Sequence, residues 1–185
     1  GSSFETLERE IVKYLLKYGH CSFDFKEGRT MVACNVAEVI FSELSDDNIA
    51  FRNPVYNKIM AAYREQWAQL GTGVEVPAHV FLNHIDPEVC NMSVDILTAD
   101  DNYVLSELWR RKEIHLETDA EMLAVGVPKA VTLYKLKVVE ALIKELQAKL
   151  DDELPDDEQK DIMQRLAAYN QVKKTIANKI GRPIL

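Results

Sequence analysis

An all-α protein is expected: a multi-helix bundle over residues 4–125, followed by a long C-terminal antiparallel helical hairpin over residues 126–185. Three observations predict it. Apolar residues recur at three- and four-residue spacing through most of the chain. Glycine and proline are scarce, with seven and six residues, and they fall where that spacing stops or restarts. Finally, a stretch beginning near Val127-Pro128 runs without a breaker along a narrow heptad seam, and Leu154-Pro155 separates it from a second amphipathic stretch.

The elements follow in order. Leu7, Ile11, Leu15 and Tyr18 define a first helix over 4–18, closed by Gly19. Gly1-Ser2-Ser3 reads as a leftover of expression, outside the fold. Over 20–30, Ser22-Phe23-Asp24-Phe25 alternates and Glu27-Gly28 resembles a turn, so a short strand and an irregular loop both fit. From 32 to 44 the helical pattern resumes, with Val36, Val39, Ile40 and Leu44. Asn53-Pro54 reads as a cap with proline at the first helical position, where a missing N–H costs nothing. That helix runs through Ile59, Tyr63 and Trp67 to Gly71 and Gly73. Pro77 opens a short helix with Val80-Phe81-Leu82, and Asp86-Pro87 repeats the cap signature before Val89, Met92 and Ile96. Leu105, Leu108 and Trp109 fall on one helical turn within 100–118.

A long helix is expected over 127–153, with Leu136, Val139, Ile143, Leu146 and Leu150 as its seam. A second, over 156–181, is capped by Asp156 with Gln159 in the capping-box position, carries Ile162, Leu166, Tyr169, Val172, Ile176 and Ile180, and ends at Gly181. A short link between two such helices makes an antiparallel hairpin. Its charge is segregated. Asp151, Asp152, Glu153, Asp156, Asp157, Glu158 and Asp161 crowd the tip beside a single base, Lys160. Residues 162–185 carry Arg165, Lys173, Lys174, Lys179 and Arg182 and no acid. The helix dipole accounts for acids in the first turn and bases in the last, but not for an acid-free helix between them.

Composition bounds the function. At 185 residues the chain can bury roughly 70% of its unfolded surface, enough to fold without a disulfide or metal. The balance of 47% hydrophobic and 28% charged residues is that of a globular protein. A net charge of −8 provides no general field for phosphates, so strong nucleic-acid binding is not expected. Cys21, Cys34 and Cys90 match neither a disulfide framework nor a zinc pair, and read as free thiols of a reducing cytoplasm. No apolar run approaches a membrane span and no segment resembles a signal peptide, so a cytoplasmic location is expected.

The search for chemistry returns dull alternatives. His79 and His84 are five apart, not on one helix face, with no ligand placed to complete a zinc set. His20-Cys21 could pair a nucleophile with a base, but adjacent residues rarely face each other. Gly71-Thr72-Gly73 is too short for a phosphate loop, and the acidic run at 151–158 lacks EF-hand spacing. Trp67, Trp109 and the tyrosines read as core or interface. No cofactor, metal or catalytic residue is expected.

A set of segments carries a resemblance: Phe51-Arg52-Asn53-Pro54-Val55-Tyr56, then Phe81-Leu82-Asn83-His84-Ile85-Asp86-Pro87, then Val94-Asp95-Ile96-Leu97, then Tyr103-Val104-Leu105-Ser106-Glu107-Leu108-Trp109. The stretch from Leu166 to Leu185 follows, with Lys173-Lys174-Thr175-Ile176 and Gly181-Arg182-Pro183-Ile184-Leu185. In this order they resemble the C-terminal domain of bacterial DNA primases, from about Phe4 onward. Cys90-Asn91-Met92 and Pro183 depart from that pattern. The resemblance implies a helical bundle akin to the N-terminal domain of the replicative helicase, then a hairpin that anchors primase to the helicase N-terminal collar. It implies no catalysis here: the zinc set and the Asp-x-Asp acids of the full primase are absent.

On that basis the second hairpin helix and its tail are expected to meet the helicase. Tyr169, Ile176, Ile180, Ile184 and Leu185 would be the apolar anchors, and Lys173, Lys174, Lys179 and Arg182 a basic rim. Ile176 could instead pack on the first hairpin helix. Two other readings compete: the N-terminal domain of the helicase itself, which would continue into a linker and a nucleotide-binding domain, and a small helical hydrolase or ligand-binding protein with an enclosed polar pocket.

Overall fold

A computed structural model describes residues 3–99 and 116–181. The described chain is mostly helical and divides into two compact units, Gly1–Val131 and Thr132–Leu185. The division falls inside a helix.

Helix α1 (Phe4–Tyr18) starts where the Ser3 hydroxyl accepts the Thr6 N–H, so Ser3 is a working N-cap and not a remnant outside the fold. It buries Glu8, Ile11, Val12 and Leu15. Strands β1 (Ser22–Glu27) and β2 (Thr30–Asn35) follow as an antiparallel hairpin, with Phe23 opposite Cys34 and Phe25 opposite Val32. Gly28, at φ +64°, makes the two-residue turn. The helical pattern expected from residue 32 therefore begins later. Val32 is β-branched and pairs across to Phe25, and the helix α2 (Val36–Asp46) waits for a cap at Asn35. There the Asn35 side chain accepts the Glu38 N–H and its amide donates to the Glu38 carboxylate, so cap and third helical residue hold each other by two bonds.

Helix α3 (Pro54–Leu70) has the expected Asn53 cap and first-turn proline, and stops at Gly71, whose φ of +93° suits glycine. Its entry is held by side chains. Asn57 donates to the Phe51 carbonyl and accepts the Phe51 N–H, while the buried Glu8 carboxylate accepts the Arg52 and Asn53 N–H groups at 2.8 and 2.9 Å. The Arg52 guanidinium lies 3.6 Å over the Phe4 ring. Tyr56 is fully buried and donates to Glu5; burial, with that bond, pushes its hydroxyl up to about 12.

A single turn, α4 (His79–Leu82), leads to α5 (Pro87–Thr98), which Asp86 caps by accepting the Glu88 N–H. His84 Nδ1 accepts the Asp86 N–H, and Lys58 pairs with Asp86 and Glu88 at 3.0 Å each. The Lys58 ammonium, with the Glu88 backbone N–H, holds the Asp86 carboxyl below its usual value. Arg9 joins α1 to α5 through Asp95 at 2.9 Å. Behind these polar ties sits the core of Ile11, Leu15, Ile40, Tyr56, Ile59 and Ile96, with Phe81 stacked on Tyr63.

Ser93, in that core, is 0% exposed and its hydroxyl has no hydrogen-bond partner among the described residues. An unmade bond of this kind costs more than the bond would contribute. Ser93→Ala should therefore leave stability unchanged or raise it by up to about 1 kcal/mol. Denaturant unfolding checks this, and a loss above that magnitude would mean that the hydroxyl is satisfied after all.

Helix α6 (Leu116–Leu150) corrects the expected start near Val127-Pro128. It begins eleven residues earlier and carries Pro128 in its interior, 35 residues in all or about 52 Å. Proline there removes the bond to the Ala124 carbonyl, at a cost of roughly 3 kcal/mol. The helix continues because Leu123, Val127, Ala130 and Val131 form one buried stripe running past the proline, and their burial outweighs that cost. Gly126, on the same stretch, lies against Tyr14 with no room for a Cβ. The turn expected at Leu105, Leu108 and Trp109 lies outside the described residues.

Candidate interaction surface

The second unit is built by α6 and α7 (Asp156–Gly181), joined at the break over 151–155. Asp156 is the first helical residue and Pro155 precedes it, so the capping box expected from Asp156 and Gln159 does not appear among the described residues. The Gln159 amide donates to the Leu154 carbonyl at 3.2 Å and closes the turn from within. Asp156, Asp157 and Glu158 occupy the first turn, where the helix dipole favours them.

The heptad seam on α6 is observed. Val139, Ile143 and Leu146 are buried, with Leu136 and Leu150 half-buried at its ends. On α7 the matching line is Ile162, buried, then Leu166, Tyr169 and Ile176, half-buried, in steps of four, three and seven. Lys173 Nζ lies 3.9 Å from Glu140 Oε1, tying the two helices side by side.

These positions sort the residues singled out from the sequence. Tyr169 and Ile176 lie on the seam line of the hairpin. Lys173 sits at its edge, occupied by Glu140. Lys174 and Lys179 are exposed and make no ion pair among the described residues. Arg165 pairs with Asp161 one turn earlier, at 3.2 Å. The Ile180 side chain and all of Arg182, Ile184 and Leu185 lie outside what is described. Sequence reasoning overlooked the face of α7 opposite the seam, where Met163 is 61% exposed beside Gln164, Ala167, Gln171, Lys174 and Asn178.

The first unit has its own surface features. An open groove of about 590 Å³ runs between α2 and α3. Its lining includes Phe41, Leu44, Ile49, Met60 and Ala61, with Arg64 stacked 4.6 Å over Phe41 at its margin. Ile85, in the turn before α5, is 94% exposed. His20 and Cys21, not expected to meet, do: the Cys21 Sγ lies 3.7 Å from His20 Nε2 at the bend after α1. Among the described residues no three His, Cys, Asp or Glu side chains gather as a metal site, and no helix is long and apolar enough to cross a membrane.

Neither a curated protein nor a solved structure matches the chain. A family model does, over residues 1–184, and the chain belongs to that family, described as a domain of unknown function, DUF8430.

Proposed function

We propose that this chain is the helicase-binding domain of a bacterial-type DNA primase: a non-catalytic docking module that holds primase on the N-terminal collar of the hexameric replicative helicase and modulates its activity at the cytoplasmic replication fork. The observation that carries the reading is the C-terminal hairpin. An antiparallel pair buries its apolar seam on itself, and beyond Asp161 its second helix bears Arg165, Lys173, Lys174 and Lys179 without one acid. A chain of net charge −8 that keeps the helical stretch 162–181 free of acids has there a surface suited to an acidic protein partner. The ordered likeness to primase C-terminal domains names that partner.

The test is binding of the chain to the cognate replicative helicase in a pull-down and by surface plasmon resonance, with and without residues 154–185. Binding is expected for the whole chain and loss of it for the shortened one, with circular dichroism showing that the first unit keeps its helices. Full affinity in the shortened chain would move the contact to the first unit. No binding by the whole chain would end the reading.

A further inference from the structure

We infer that the helicase-facing surface of the hairpin is the outward strip of α7, Met163, Gln164, Ala167, Gln171, Lys174 and Asn178, and that it seats against an acidic, helical surface of the partner. The inference rests on the helicase reading above and adds to it which face docks and what chemistry receives it.

The argument starts from helix geometry. At 3.6 residues per turn the six positions fall within one narrow stripe, on the side of α7 away from Ile162, Leu166, Tyr169 and Ile176. All six are exposed, whereas the four seam residues are buried or half-buried. Four of the large apolar side chains of α7, Ile162, Leu166, Tyr169 and Ile176, thus serve the hairpin, whereas Val172, expected to join them, is 44% exposed and lies between their line and the strip. What they leave outward is a base and three amides around a methionine and an alanine. Lys174 makes no ion pair among the described residues, while Arg165 and Lys173 already face Asp161 and Glu140. Its charge is therefore the one on this strip open to a partner carboxylate, and Gln164, Gln171 and Asn178 can each donate to carboxylates or backbone carbonyls beside it. Ala167, at the middle, allows another helix to approach to the short end of the usual interaxial distance. Met163 gives an adaptable apolar contact next to it. No acid lies anywhere on α7 past Asp161 to repel an acidic surface.

The experiment compares two triple variants with an equal change in net charge. One is on the strip: Gln164→Glu, Gln171→Glu and Lys174→Glu. The other is on exposed positions of the first unit: Lys26→Glu, Gln69→Glu and Asn91→Glu. Affinity for the cognate helicase is measured at two salt concentrations, with thermal unfolding of each variant. The strip triple should bind at least tenfold more weakly, and the control triple within about twofold of the parent, a contrast that screening by salt narrows. Should the strip triple unfold the hairpin, Gln171→Ala with Lys174→Ala keeps the helix and should still lose affinity severalfold. Equal losses in both triples would mean a long-range charge effect and would overturn the assignment, as would no loss in either while the parent still binds. Failure of the parent to bind is a different result and removes the helicase reading itself.

Discussion

Replacing Glu8 by alanine should destabilise the first unit by about 3 kcal/mol or more, because two backbone donors lose their shared acceptor, and replacing it by glutamine by about 1.5–3 kcal/mol, because one of them does. Glu8 is 1% exposed, and its two carboxylate oxygens each take one N–H, from Arg52 and from Asn53. Hydrogen bonds to a charged group are worth about 1.5–3 kcal/mol each. Glutamine is the informative variant. It keeps the length and nearly the volume of the side chain, but its amide nitrogen would point a donor at a donor. If Glu8 merely filled space, glutamine would be harmless. A fall in Tm of roughly 6–12 °C for the alanine variant and roughly 3–12 °C for the glutamine variant is the expected result by differential scanning calorimetry. A glutamine variant melting within about 1 °C of the parent would show that the two N–H groups find other partners.

That arrangement also explains what the recognisable segments of the sequence do. Phe51-Arg52-Asn53-Pro54-Val55-Tyr56 is a device for starting α3: a buried phenylalanine clamped by Asn57, two N–H groups on Glu8, a cap, a proline and a buried tyrosine on Glu5. Phe81 to Pro87 does the same for α5, with His84 Nδ1 and the Asp86 cap setting the turn. The cap-plus-proline signals were legible because they act over three or four residues, and so was the α6 seam, which needs only periodicity. Glu8 was not legible: a single glutamate in an amphipathic helix reads as solvated, and its partners lie more than forty residues away. The β-hairpin was half legible, since the alternation of β1 shows but β2 shares its apolar residues with the start of α2. Pro128 misled for a physical reason. Local rules place proline at a helix start, and only the buried stripe on both sides of it reveals that tertiary packing overrides them.

For the interaction surface the limit is similar. Periodicity identified Tyr169 and Ile176 as apolar and in line, but not whether that line faces α6 or a partner. The heptad on α6 settles it only once both helices are placed together, because Ile162 and the edge contact of Lys173 with Glu140 then fix the facing side of α7. What remains outward is polar, and a polar strip gives no periodic signal of its own.

Gly19 was read as the stop of α1, yet its role is one of space, and Gly19→Ala should cost about 2–3 kcal/mol. Its backbone is ordinary right-handed helix, φ −51° and ψ −34°, so no left-handed turn demands glycine there. By helix propensity alone, alanine would be the better residue. A Cβ at this position, however, would overlap the Tyr63 hydroxyl and come within 2.6 Å of the Tyr63 Cζ and the Leu15 carbonyl oxygen. Tyr63 has nowhere to retreat. It is 2% exposed, stacked on Phe81 with ring centroids 6.0 Å apart, and 6.1 Å from Phe41 on another side. Burial also pushes its hydroxyl well above the ordinary tyrosine value. The collision can be isolated with a double-mutant cycle, in which Tyr63→Phe removes the first atom that the new methyl meets. The pair Gly19→Ala with Tyr63→Phe should be more stable than the sum of the single changes predicts, by about 0.5–1.5 kcal/mol, with the rest of the loss remaining because Cζ and the Leu15 carbonyl stay in place. Urea unfolding of the four proteins measures that coupling. Additivity to within about 0.3 kcal/mol would mean that the methyl is absorbed by a shift of α1 and not by the ring of Tyr63.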